Sequence, residues 1–265
     1  MKNTATARAT LARGRIGAPA LALALSMGAT WAQPTDTNET SPMHAASPIP
    51  SRESAALTQR QRAIVPIAAF ASAGDIGSLN KALDDGLNAG LTVNEAKEIL
   101  VQLYAYAGFP RSLNALAALM KVLEARKARG IHDAAGSLPS QAAPTGEALL
   151  QAGTANQTRL AGSPVRGPLF EFAPAIDTYL KTHLFGDIFE RDNLDWQSRE
   201  LATIGMLSAL PGVEAQLQAH MRIGMNVGLG SRQLRELTQL LAERVGTDAA
   251  SRARGALEAQ IGGQP

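Results

Sequence analysis

Cysteine is absent from this chain of 265 residues and histidine occurs four times, so few side chains can carry chemistry. Without a thiol there is no thiolate nucleophile, no redox pair and no cysteine–metal site. Glu200 and His220 lie 20 residues apart, in two consecutive stretches with helical apolar spacing. A carboxylate beside an imidazole can orient the ring and hold its proton, which is the basis of acid–base work near neutral pH. His183, Asp187 and Glu190 fall at i, i+4 and i+7 and invite a metal reading, but Gly186 interrupts that stretch. We discount it and expect no metal and no cofactor. Tyr104 and Tyr106 can offer hydroxyls at the edge of an apolar wall; their structural alternative is packing, because tyrosine readily buries its ring. Arg111 and Asn114 could meet an anion at a helix start, or simply be solvated. His44 and His132 belong to or border polar segments and are read as solvated.

The elements that must position these residues are helical. Thr58-Gln-Arg-Gln61 and Thr92-Val-Asn-Glu95 read as capping boxes, and Asp75 and Asp195 as caps. Ile64, Ile67, Ala68 and Ala71 recur at helical spacing, with Pro66 predicting a kink. Leu79, Leu83 and Leu87 follow, then a stop at Gly90. Ala96, Ile99, Leu100, Leu103 and Ala107 predict one helix ending at Gly108-Phe-Pro110, and Leu113, Leu116, Ala117, Met120 and Leu123 the inner face of the next. The pattern then recurs. Leu201, Ile204 and Leu207, then Leu217, Met221 and Gly224, then Leu234, Leu237 and Leu241 repeat the plan, and Gly246 matches Gly108 at an offset of 138. Ile176, Tyr179, Leu180 and Leu184 predict a lead-in helix. No stretch alternates strongly enough for a sheet. The fold class is all-α, two homologous helical units packed on one core.

Residues 1–32 read as a signal peptide: Lys2, Arg8, Arg13 and Arg15 precede an apolar run, Ile16–Met27, and Thr30-Trp-Ala32 suits cleavage before Gln33. The apolar run is too short to span a bilayer as a helix. The absence of a cysteine lipobox favours a soluble exported protein, periplasmic or secreted. The whole chain has 25 Lys and Arg against 23 Asp and Glu; the leader holds four of the bases and none of the acids, leaving 21 against 23. The basic balance thus belongs to the leader, and neither nucleic acid nor, after cleavage, a membrane is expected as a partner. Residues 33–54 read as a disordered arm, 55–135 as the first helical unit, 136–168 as a linker rich in Gly, Pro and Ser, and 169–262 as the second unit.

Glu98-Ile-Leu with Tyr104-Ala-Tyr-Ala-Gly-Phe-Pro110, and Phe185-Gly-Asp-Ile-Phe-Glu-Arg191 with Leu194, Arg199-Glu-Leu201 and His220, together resemble the two half-motifs of the carboxymuconolactone decarboxylase family, relatives of alkylhydroperoxidase D. The resemblance implies helical units that assemble as trimers or hexamers, with sites among packed helices. It implies either cofactor-free decarboxylation of a lactone acid or peroxide reduction through a CxxC pair; the missing cysteines disfavour the second. Glu200 and His220 match the family's acid–base positions. The first copy has Ala63 in place of Glu200 and Ala82 or Leu83 in place of His220, while the second has Ala242 and Arg244 in place of Tyr104 and Tyr106. One composite site per chain is therefore expected, with Glu200 and His220 catalytic and Tyr104, Tyr106 and Arg199 as candidate substrate contacts. Arg62 matches Arg199 and Glu236 matches Glu98, so these shared charges are more simply architectural, as an Arg–Glu bridge within each unit. The expected activity is that of a lyase or isomerase acting on a small carboxylated or carbonyl compound, in a homo-oligomer, with a trimer favoured. Export counts against the lactone acid itself. The alternative is a binding or assembly protein that keeps the scaffold without turnover.

Overall fold

A computed structural model describes residues 56–262, all within one compact unit of the chain. The leader, the polar arm and His44 lie outside the described residues. The described residues form helices and no strand. The first copy comprises α1 (Gln59–Ala73), α2 (Ile76–Asn88), α3 (Val93–Gln102), α4 (Tyr104–Ala107) and α5 (Phe109–Ala128). The second comprises α9 (Trp196–Ser208), α10 (Glu214–Asn226), α11 (Ser231–Arg244) and α12 (Thr247–Ile261). Between them lie α6 (Gly146–Ala161), α7 (Pro168–Phe172), α8 (Pro174–Tyr179) and a π-helix (Leu180–Ile188).

Local sequence sets the helix starts. Both capping boxes form, at Thr58–Gln61 and Thr92–Glu95, and Asp75 and Asp195 accept the backbone N–H groups of Ser78 and Ser198. Each satisfies donors that the first helical turn cannot. Gly90 takes φ 88°, a left-handed stop that disfavours a side chain. Pro66 sits buried inside α1, which runs on past it to Ala73.

The copies interlock. Packing of α1 on α2, α2 on α5 and α3 on α5 repeats as α9 on α10, α10 on α12 and α11 on α12. The copies meet chiefly where α1 crosses α9. Ala68 and Gly205 hold equivalent positions and face each other there; a Cβ on Gly205 would lie 2.9 Å from the Val65 carbonyl and 3.3 Å from the Ala68 Cβ. Equivalent residues in mutual contact mark a pseudo-two-fold axis, as in a symmetric dimer interface. Across it α11 packs on α1 and α4 on α9, so each copy's third segment supports the other copy's first helix. Leucines and alanines of both copies form one core.

Three expectations need correction. The helix read through Ala107 breaks at Leu103, leaving α4 as a separate turn. The buried face of α5 is Ser112, Ala115, Ala118 and Leu119, small residues that permit close approach; Leu113 and Met120 face outward, 61% and 63% exposed. The stretch read as linker contains α6. Gly153 of α6 lies so close to the π-helix that a Cβ would stand 1.7 Å from the Lys181 carbonyl oxygen. Leu160, Leu184, Phe185, Ile188, Phe189 and Ile223 form a satellite core under this pair.

Candidate active site

Glu200 on α9 and His220 on α10 meet inside the protein. His220 Nδ1 lies 2.8 Å from Glu200 Oε2, with Glu200 fully buried and His220 8% exposed. The pairing follows from the packing of α9 against α10, which brings the buried Glu200 to His220. With Nδ1 committed to the carboxylate, Nε2 is the ring nitrogen left to exchange a proton with a ligand. The Tyr106 ring stands edge-on to the imidazole, centroids 5.5 Å apart at 79°. Tyr106 comes from α4 of the first copy, so three side chains from two copies converge.

The Tyr106 hydroxyl approaches Thr203 without reaching bonding geometry. The Thr203 hydroxyl already accepts from Gln102 Nε2 at 2.7 Å and donates to the Arg199 carbonyl at 3.0 Å. Burial, and then the charge of Glu200, push the phenol well above its ordinary pKa, so it remains a donor. Glu200 Oε1 is buried without a partner. Tyr104 points elsewhere. It stacks on Phe109 with centroids 4.6 Å apart and lines a groove of about 290 Å³ with Ile176, Tyr179 and His183. Burial, then Asp187, raise its pKa.

Arg199 lies beneath the site, fully buried. It donates to Glu98 Oε2 at 3.1 Å, to Gln102 Oε1 at 3.2 Å and to the Arg191 carbonyl at 2.7 Å. Arg191 grips the same carboxylate through Nε at 2.9 Å and Nη2 at 2.6 Å. Burial alone would raise the Glu98 pKa, but the Arg191 and Arg199 bonds outweigh it and hold the carboxyl below its ordinary range. The matching pair, Arg62 with Glu236, is also joined. Both bridges run between the copies, not within each as the sequence suggested, because the third segment of one copy packs on the first helix of the other. Architecture thus accounts for the Arg199 bonds. Sequence spacing gave Arg191, Gln102 and Thr203 no role; their contacts arise from residues about 100 positions apart.

At the mirror position, the helical register puts Ala82, not Leu83, opposite His220. Ala63 and Ala82 line a groove of about 240 Å³ with Arg62, Asp85, Glu243 and Arg244. Arg244, the counterpart of Tyr106, turns to Asp85 at 2.6 Å. Among the other candidates, Arg111 bonds the Ser72 carbonyl and Asn114 is exposed. His183 pairs with Asp187 at 3.0 Å, whereas Glu190 accepts from Asn156 at 2.6 Å, so the three do not converge. His132 is exposed.

A search of curated proteins finds no match. The carboxymuconolactone decarboxylase family model matches residues 51–121 and 174–259, more than half of the chain and one segment in each copy. This two-part match agrees with the duplicated helices and with the half-motif that each copy keeps. The chain belongs to the carboxymuconolactone decarboxylase family.

Proposed function

We propose that this protein is a cofactor-free lyase or isomerase in which Glu200 and His220 move protons on a small carboxylated or carbonyl compound. The buried 2.8 Å contact between His220 Nδ1 and Glu200 Oε2 carries this reading. Glu200 fixes the ring and its tautomer, so that Nε2 can give a proton to the carbon released by loss of CO₂, or take and return one during an enol shift. Tyr106 closes one side of the site. Family membership supports a decarboxylase-like or alkylhydroperoxidase-like protein; the absence of cysteine argues against the thiol-dependent branch. A screen of oxo acids, lactone acids and ketones for CO₂ release or double-bond migration tests the proposal. Glu200→Gln and His220→Ala should each lower the activity found by about 100-fold or more. Activity unchanged in both variants refutes it.

A non-catalytic assembly protein is the second reading, and the exposed apolar residues Phe109, Leu113 and Met120 on α5 favour it. The same row supports self-association in either reading, as a trimer of exported chains.

A further inference from the structure

Among the described residues, five buried side-chain atoms have no hydrogen-bond partner, and three belong to this one site: the Tyr106 hydroxyl, Glu200 Oε1 and Arg199 Nε. Buried polar atoms are otherwise almost always paired, so such a cluster calls for an occupant. The mirror position makes the contrast. There Ala63 and Ala82 have removed the polar atoms, and Arg244 has turned out to Asp85. Of the two equivalent positions, the one that keeps the dyad is the one with orphan atoms among the described residues.

The three atoms specify what they can hold. Tyr106 O–H and Arg199 Nε–H are donors, and Glu200 Oε1, on the next residue of α9, is an acceptor. Both charged groups act on the Tyr106 phenol. We propose that the site takes an uncharged, enolisable carbonyl compound, and that Tyr106 and Arg199 form the donor hole for its enolate oxygen while Glu200 Oε1 faces the acidic carbon. This rests on the acid–base reading of Glu200 and His220, narrows it to isomerisation, and makes Glu200 Oε1, oriented by His220 on Oε2, the atom that takes the carbon proton.

The charge balance selects the uncharged substrate. Arg191 and Arg199 carry two positive charges, and Glu98 and Glu200 two negative ones. Asp195 adds a third negative charge near Arg199, so neither arginine lacks a counter-charge. In the step, the C–H bond next to the carbonyl breaks and its proton passes to Glu200 Oε1. The electron pair forms a C=C bond, and the carbonyl electrons move to oxygen, where Tyr106 and Arg199 donate to it. Negative charge shifts from Glu200 to the enolate with no net change. Where the substrate carries a double bond between its β and γ carbons, the enolate is a dienolate, and return of the proton to the γ carbon moves the double bond into conjugation without oxidant or cofactor. A carboxylate substrate would bring an extra buried negative charge beside Glu200, which the cluster has no spare cation to offset.

Deuterium exchange next to the ketone of methyl levulinate and of levulinate, a matched uncharged and anionic pair, followed by proton NMR in D₂O, tests this. The wild-type chain should exchange the ester at least ~10-fold faster than the acid, in line with one unpaired charge. Tyr106→Phe should slow ester exchange by about 100-fold, as loss of an oxyanion donor does, with helical circular dichroism retained. Faster exchange of levulinate, no catalysed exchange of either probe, or a Tyr106→Phe variant as fast as wild type overturns the inference. Exchange of the ester that survives both Glu200→Gln and His220→Ala refutes the acid–base reading beneath it. Exchange that requires both residues yet favours levulinate overturns the substrate inference alone.

Discussion

Glu98→Gln and Glu236→Gln remove the same charge from the two related Arg–Glu bridges, and they should differ sharply in cost. The Glu98 side chain is 4% exposed and its partner Arg199 0%, whereas Glu236 is 15% and Arg62 43% exposed. Without Glu98 the buried Arg199 loses its counter-charge, and Arg191 loses the carboxylate it bonds twice. Breaking a buried pair in this way costs about 3–5 kcal/mol. At the mirror bridge water can solvate Arg62, and the loss should be about 1 kcal/mol or less. Urea unfolding at neutral pH should therefore separate the variants by at least ~2 kcal/mol. The pH dependence adds a second check. The Glu98 pKa is held below its ordinary value of 4.5 in the folded state. Its contribution is complete above the unfolded value and is lost as pH falls through the folded one. The gap between wild type and Glu98→Gln should thus hold from neutral pH to about 5 and shrink on further acidification. Equal costs at the two bridges, or a gap that widens in acid, would refute the reasoning that burial rather than ion pairing sets the value.

Three further outcomes follow from the packing. Gly205→Ala should lower stability by about 1–3 kcal/mol despite alanine's better helix propensity, because its methyl meets the Val65 carbonyl at 2.9 Å; a melting temperature at or above wild type contradicts this. Gly153→Ala should release α6 from the π-helix, and limited proteolysis within residues 146–161 should accelerate while the main transition persists, since the satellite core is separate from the main one; unchanged proteolysis would contradict it. Leu113→Glu with Met120→Glu should lower the assembled mass without loss of helicity; an unchanged mass would show that this face of α5 is not the contact.

Much of the fold was legible because its signals are local. Thr58, Asp75, Thr92 and Asp195 cap helices wherever those helices pack, and leucines at helical spacing require a buried face. The α5 face was misread because Leu113 and Met120 share the helical period with the core. Spacing cannot tell a row that packs inward from one left for another surface. The segment holding α6 was misread because Gly, Pro and Ser at its flanks outweighed its helical interior. The dyad was legible as two residue types on successive helices, and Tyr104 and Tyr106 were read together although only Tyr106 faces it.

The sequence by itself determined that the chain is helical and duplicated, that it lacks thiol chemistry, and that one copy keeps a carboxylate and an imidazole where the other keeps alanines. These are properties of residue type and order. Only the tertiary structure decided that the copies exchange support across a pseudo-two-fold axis, that Arg199 pairs with Glu98 of the other copy, and that Tyr106 stands edge-on to the other copy's imidazole with its hydroxyl unpaired. The physical reason is that each of these depends on contacts between residues about 100 positions apart, which the crossing of α1 and α9 creates and which no local spacing encodes.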